Sequence, residues 1–442
     1  MREKGIARLT LVLIIIAIVI IAAVAAVVYV YFIAPPAPVP TIKIGAPVAQ
    51  TGPLSGFGMG YGWGWKAAVD DINAQGGIYV AEYGRKLPVE LIIRNTESDW
   101  EKASMVATDL ILKDGVHALV AWEPTIPVYL VAEKYHIPAV GTTPFEPFWA
   151  HGPYSYSWNF AVSIAAELYP RQLGYTVREA FFKYTDMFAN QTNRVVAVLA
   201  CADPDGEGWY RTFGSMLIEA GYYPLIENDL GLFPPGTTDF SSIIMEWKAA
   251  GAEILWGNLP GPYFGIALRQ MKELGFKPKI IAVGRAALFY EDVSAWGGNL
   301  PYGVGSEVWW SPYYPPERFP GIGGTTPMSL YERWVEETGM PLNRAIGVAY
   351  AHIQILADAI ERAGSLDPEK INAALAETYL ETIAGHVDFR DIRGEYHTCP
   401  LPTTFGQWVP VEGWPYWEQK IVFSELDFIP VEHDPVFPKP WD

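Results

Sequence analysis

From residue 41 onward the sequence repeats one alternation, a short apolar run followed by a longer stretch at helical spacing, and that rhythm admits few architectures. An apolar run at 41–48 leads through a Gly/Pro loop at 50–56 into a helical stretch at 61–73, which Gly76 and Gly77 stop. Further strands are expected at 87–94, 118–122 and 137–141, with helices at 103–113 and 128–135 between them. Such a series predicts a parallel sheet covered by helices on both faces. After an aromatic, irregular segment at 154–160 the rhythm restarts, with helices at 165–190, 209–220, 240–250 and 262–274 and strands at 194–201, 223–228, 252–256 and 279–283. This predicts a second α/β lobe. Two long helices at 328–338 and 343–363 follow, the second carrying Ile346, Ala349, Ile353, Leu356, Ala357 and Ile360 on one face.

The amino terminus obeys a different logic. The 25 residues from Leu9 to Ile33 carry no charge, and at ~1.5 Å per residue they exceed the ~30 Å hydrocarbon core of a bilayer. One transmembrane helix at 9–33 is expected, too long for the apolar region of a cleaved signal peptide, although Ala22, Ala23, Ala25 and Ala26 keep cleavage open. Arg2, Lys4 and Arg8 precede it, so the positive-inside bias leaves residues 1–8 in the cytoplasm and exports the rest. Residues 34–41 hold four prolines and form an extended spacer.

Composition excludes several classes. Lysine and arginine number 31 against 49 aspartates and glutamates, a formal charge of −18 that repels phosphate backbones, so nucleic acid is not an expected partner. Two cysteines, Cys201 and Cys399, exclude a disulfide-built scaffold and leave one possible bridge. The seven histidines show no H-E-x-x-H pattern, and no metal or cofactor is expected. Gly52-Pro53-Leu54-Ser55-Gly56 does not fit the G-x-S-x-G nucleophile elbow, and the alternate glycines from Gly56 to Gly64 never satisfy G-x-G-x-x-G. The chain is therefore not expected to be an enzyme. Close packing of a helix is the simpler account of the glycine ladder. Asn190-Gln191-Thr192 is a glycosylation sequon or an ordinary loop.

Three runs carry a resemblance: Lys43-Ile44-Gly45, Gly52 to Gly56, and the stretch from Ala67 to Ile78. With Asp205-Gly206-Glu207-Gly208, Thr238-Asp239-Phe240-Ser241, Leu268-Arg269-Gln270-Met271 and Gly275-Phe276 in order, the sequence resembles the leucine/isoleucine/valine-binding-protein family. These are the type I periplasmic substrate-binding proteins of ABC transporters. The Lys4-Gly5-Ile6 opening is similar to the prepilin-like leaders of some archaeal surface binding proteins. The resemblance implies two doubly wound lobes joined by three crossovers near residues 161, 311 and 403. Lobe 1 is then 42–160 with 311–402, and lobe 2 is 161–310 with 403–442. It further implies capture of a small molecule (amino acid, amide or related compound) by hinge closure, and delivery to an ABC permease with a cytoplasmic ATPase. A ligand-sensing ectodomain is the alternative, and an extracellular hydrolase a third reading.

In open parallel sheets ligands bind outside the carboxyl ends of the strands, where helix amino termini converge. The 52–56 loop, with Ser55, is such a place. By resemblance Tyr61 covers the ligand, Thr125 offers a hydroxyl to its carboxylate, and Thr142 and Thr143 lie beside it. From the second lobe, Asp205 and Trp209 are expected in the loop after a strand and Asn258 in the turn after the next. Phe145 stands where amino-acid binders have Thr, and Leu259 where they have Tyr. Around Arg285 the glutamate that clasps the ligand's ammonium is missing, so Arg285 favours an anion or a carbonyl-bearing ligand, with Glu123 and Asp205 as replacement acceptors. Trp122, Phe145, Trp209, Tyr263, Phe289 and Trp309 suit an aromatic or alkyl amide, or a sugar face.

Overall fold

The computed structural model describes residues 14–24, 39–122, 125–143, 152–159, 177–390, 397–401, 403–424, 426 and 428–441. The chain divides into two units, 1–40 and 41–442. In the first, residues 14–24 are helical; the rest of the 9–33 run and residues 34–38 of the linker lie outside the described residues. Among the described residues no helix is long and apolar enough to cross a membrane.

The second unit holds two large sheets. Its first strands are β1 (Ile42–Val48), β2 (Ile78–Val80), β3 (Arg85–Leu87), β4 (Val89–Asn95), β5 (Ala118–Ala121), β6 (Ala139–Thr143) and β7 (Ser155–Asn159). Then come β8 (Val195–Cys201), β9 (Tyr223–Leu225), β10 (Leu232–Phe233), β11 (Ile254–Leu259), β12 (Ile280–Arg285) and β13 (Val304–Val308). The last are β14 (Tyr379–Thr382), β15 (Gly385–Asp388), β16 (Thr398–Pro400), β17 (Thr404–Pro410) and β18 (Trp417–Phe423). The first sheet runs β16-β7-β6-β5-β1-β4, parallel throughout. The second runs β10-β8-β11-β12-β13-β17-β18, with β9 beside β8. It is parallel as far as β13 and then antiparallel, so the expected all-parallel second lobe is corrected to a mixed sheet. The reason lies in the Trp- and Pro-rich tail, which returns along β13 as a hairpin. Chain passages between the sheets occur from β7 to β8, from β13 to β16, and from β16 to β17. Cys201 and Cys399 end up in different sheets, both buried and not joined to each other, so the bridge left open by the sequence does not form.

Small residues set the packing at the centre. A Cβ on Gly58 would come 1.9 Å from the Ala49 carbonyl oxygen, and one on Gly64 would come 2.5 Å from that of Ile346. The helix Ser55–Ala74 thereby seats its backbone against β1 on one side and the buried helix Ala345–Ala363 on the other. That is the physical account of the glycine ladder.

Other boundaries differ from expectation. The helix expected from 209 begins at Pro204, because Asp203 caps it by accepting from the Gly206 amide at 2.8 Å and Pro204 is preset for the first turn. Of the helix expected at 165–190, Val177–Asp186 is helical and residues 165–176 lie outside the described residues.

Candidate ligand cleft

One wall of the cleft grows from the first sheet. The Gly52 turn, at φ +93°, feeds the helix Ser55–Ala74, whose first residue Ser55 is half-buried. Two turns on, the Tyr61 ring stacks on Trp122 at 5.2 Å and meets Trp65 edge-on at 5.5 Å. Thr125 opens the helix Thr125–Tyr135, and its hydroxyl donates to the Thr142 carbonyl at 2.9 Å. The Thr142 hydroxyl lies 2.9 Å from His352 Nε2, while Trp65 Nε1 donates to His352 Nδ1 at 3.4 Å. That donation assigns the ring proton to Nε2, so His352 donates to Thr142. Complete burial drives the His352 pKa down to about 3 and leaves the ring neutral. Both threonine hydroxyls are thus bonded within the protein. Thr143 ends β6; Glu123 and Phe145 lie outside the described residues.

The facing wall carries charge. Asp205 and Trp209 stand on the first turns of the helix Pro204–Glu219, and Asn258 lies inside β11; neither a loop nor a turn holds them, a correction to the expectation. Arg285 ends β12 in the left-handed region at φ 57°, a conformation that costs a side-chain-bearing residue energy and is common at working sites. Its guanidinium donates to both Asp203 oxygens at 3.1 Å and, through Nε, to Asn258 Oδ1 at 2.7 Å with Asp205 Oδ2 at 2.8 Å. Asn258 Nδ2 in turn donates to Asp205 Oδ2 at 3.1 Å. The arginine is consumed by this network and offers no free fork to an anion.

Sequence reasoning missed Glu307. It lies in β13, two residues past Gly305, which pairs with Ala282 of β12, and is 2 % exposed. Its carboxylate accepts from the Ser306 hydroxyl at 2.6 Å. Burial first, with Asp205 nearby as a further charge, pushes its pKa up to about 7. Burial likewise pushes Asp205 up to about 6, against the opposing pull of Arg285. The buried Trp209 indole sits beside Asp205, and its N–H, like the Asn258 amide, favours the ionised carboxylate against the desolvation. The signal available was a single acid in the apolar run at 304–310, where no strand was expected.

Aromatic rings join the walls. Phe57 meets Phe289 edge-on at 4.6 Å and stacks near Trp309 at 6.0 Å, and Trp309 in turn abuts Trp122 at 5.6 Å. Tyr61, Trp122, Thr125 and Thr142 therefore form one group, Asp205, Trp209, Asn258 and Arg285 a second, and Phe57, Phe289 and Trp309 the seam between them. Tyr263 belongs to neither group: its ring packs on Phe233 at 5.8 Å, and its hydroxyl accepts from the Gly236 amide at 3.1 Å. Among the described residues no cluster of three His, Cys, Asp or Glu side chains could hold a metal.

A seam of this kind, at the carboxyl ends of the parallel strands of two sheets, is the candidate place for a ligand by position. The sequence profile of the family described as periplasmic binding protein matches residues 41–410. The chain belongs to that family. A leucine-, isoleucine-, valine-, threonine- and alanine-binding protein of Pseudomonas aeruginosa is 23 % identical over 361 residues, 80 % of this chain and 87 % of the relative. In fold, a leucine-binding protein of Thermotoga maritima superposes with a TM-score of 0.65 at 19 % identity, covering 86 % of this chain and 97 % of that one. A Rhodopseudomonas palustris solute-binding protein of an ABC transporter, in complex with p-hydroxybenzoic acid, gives 0.65 at 16 % identity, over 91 % of this chain and 98 % of that one.

Proposed function

We propose that this chain is an extracytoplasmic solute-binding protein that closes on a small ammonium-bearing molecule and hands it to an ABC permease driven by a cytoplasmic ATPase. The jaws are residues 42–160 with 311–402 and residues 161–310 with 403–442, and the three chain passages are the hinge. Residues 9–33 anchor the protein in the membrane with 1–8 in the cytoplasm and 34–41 as the spacer. No covalent chemistry is required of it.

One observation carries the ligand class. Three acids, Asp203, Asp205 and Glu307, share one cation, Arg285, which is ion-paired with the first two, and the other wall is aromatic and uncharged. A cation fits that imbalance, because ionising Asp205 or Glu307 in a dry site is costly until a positive group arrives. The rings of Tyr61, Trp122 and Trp309 then accept its apolar body or face its charge. The relative in Pseudomonas aeruginosa is named for binding leucine, isoleucine, valine, threonine and alanine, whereas the Rhodopseudomonas neighbour holds p-hydroxybenzoic acid; the two differ in whether an ammonium is present. Closure is selected only to the extent that ligand contacts the closed form better, and moving a 1:99 population to 99:1 takes ~5.5 kcal/mol.

Thermal shift of the purified protein against aliphatic and aromatic amino acids, their decarboxylated amines and p-hydroxybenzoate tests this reading. Amino acids or amines should raise Tm, the hydroxybenzoate should not, and Tyr61→Ala should diminish the rise. A rise with the hydroxybenzoate alone would sink the ammonium assignment, and scattering profiles unchanged by a true ligand would sink the hinge.

A further inference from the structure

The seam between the walls also covers the place where an anion would be held. Phe289, 1 % exposed, follows β12, the strand that ends in Arg285, and lies against the opening turn of the helix Ser55–Ala74. A Cβ on Gly56 would come 2.7 Å from Phe289 Cδ2, so the ring rests on bare backbone. Phe57 meets the same ring edge-on at 4.6 Å, which makes the approach to this turn hydrocarbon on that side. Three amides of the turn are already taken. Those of Ser55 and Phe57 donate to the Gly52 and Leu54 carbonyls at 3.1 Å, and that of Leu54 donates to the Ser98 hydroxyl at 3.1 Å. A helix start holds a carboxylate through N–H groups that face a polar approach. Here the approach is apolar and those amides are bonded within the chain.

The side-chain donors are engaged as well. The Thr125 hydroxyl gives its one proton to the Thr142 carbonyl, and Thr142, fully buried, sets its hydroxyl 2.9 Å from His352. The guanidinium of Arg285 is ion-paired with Asp203 and Asp205 and donates to Asn258. Glu307 adds a third acid to that one cation. Among the described residues the cleft thus has acceptors in surplus over cations. A carboxylate brought into it would lose its water, gain no charged partner and meet like charge.

We infer that the cleft takes an organic amine that carries no carboxylate: an ammonium for the acid cluster on an apolar or aromatic body for Tyr61, Trp122 and Trp309. This rests on the ammonium reading of the cleft and narrows it from amino acids to their decarboxylated counterparts. Phe289 is the specificity-determining residue, because its ring closes the helix start on which the carboxylate of an amino acid would otherwise lie.

Calorimetric titration of the purified protein with two matched pairs is the test: phenethylamine against L-phenylalanine, and 3-methylbutylamine against L-leucine. In at least one pair the amine should bind about tenfold or more tighter than its parent amino acid. Phe289→Ala should narrow that ratio by admitting the carboxylate to the helix start, and the ratio in the unaltered protein keeps the test open should the variant fail to fold. Amino acids that bind as tightly as their amines would overturn the inference and leave the ammonium reading standing. Silence with both amines and both amino acids would remove the two together. A ratio unchanged in a folded Phe289→Ala would overturn the role given to Phe289.

Discussion

The two walls of the cleft solve burial in opposite ways. On the first, a chain of neutral groups is bonded within the wall: Thr125 bonds to Thr142, Thr142 to His352, and His352 to Trp65. On the second, four charged groups, Asp203, Asp205, Arg285 and Glu307, are brought together by two strands and a helix start. On the proposed reading, the first wall would shape a ligand and the second would select it by charge. The contrast predicts that damage on the charged wall is felt most in folding and on the neutral wall less. Arg285→Met leaves Asp203 and Asp205 without their cation, and should cost about 3–5 kcal/mol in denaturant unfolding. A loss below about 1 kcal/mol would mean that the network is solvated and not a buried cluster.

The neutral wall should break more gently. Thr142→Val keeps the volume but strips His352 Nε2 of its partner, and an orphaned buried donor costs about 1–3 kcal/mol. Unchanged stability would show that the contact between the Thr142 hydroxyl and His352 Nε2 contributes no net hydrogen-bond energy.

Four strands of the first sheet, β1, β4, β5 and β6, were legible because a parallel strand buried on both faces reads as an apolar run, as 118–122 does; β7, in the segment expected to be irregular, and β16 were not. The start at Pro204 was legible too, in Asp203-Pro204, but the helical spacing farther along drew the boundary downstream. Glu307 was not legible. Val304–Val308 includes a glycine, a serine and a glutamate, and it is a strand only because β12 and β17 flank it. In the same way the charge of Arg285 was visible, while the partners that consume it arrive from Asp203, Asp205 and Asn258, up to 82 positions away. Local pattern reveals elements, and a cleft is a relation between distant elements.

The walls also carry opposite pH signatures. Asp205 and Glu307 are raised from 3.8 and 4.5 to about 6 and about 7, so their contribution is present in acid and is lost as pH rises through those values. His352 is depressed from 6.5 to about 3, so its contribution is present above 6.5 and is lost as pH falls toward 3. Between about pH 4 and about pH 6.5 the two slopes oppose each other; above that only the acids act. The ligand-free protein should therefore lose stability between about pH 6.5 and about pH 8, and Glu307→Gln should remove about 1 kcal/mol of that loss in urea unfolding. An identical slope in the variant would place Glu307 in contact with water. A bound ammonium should reverse the trend, because it favours both acids in their ionised form.

The smallest effect tests where the charged wall ends. Tyr263 lies on the helix Gly261–Leu274 directly after β11, whose Asn258 belongs to the network, so nearness along the chain alone would put it in the cleft. Its contacts point elsewhere. The ring lies against Phe233, and the hydroxyl takes the Gly236 amide in an exposed turn. Removing a partly solvated hydroxyl of this kind costs little, because water replaces it as the acceptor for that amide. Tyr263→Phe should change stability by less than about 1 kcal/mol and leave the affinity for a cleft ligand as it was. A tenfold loss of affinity with stability intact would mean that the ligand reaches past Asn258 to the β10 edge, and that the charged wall continues into an aromatic one.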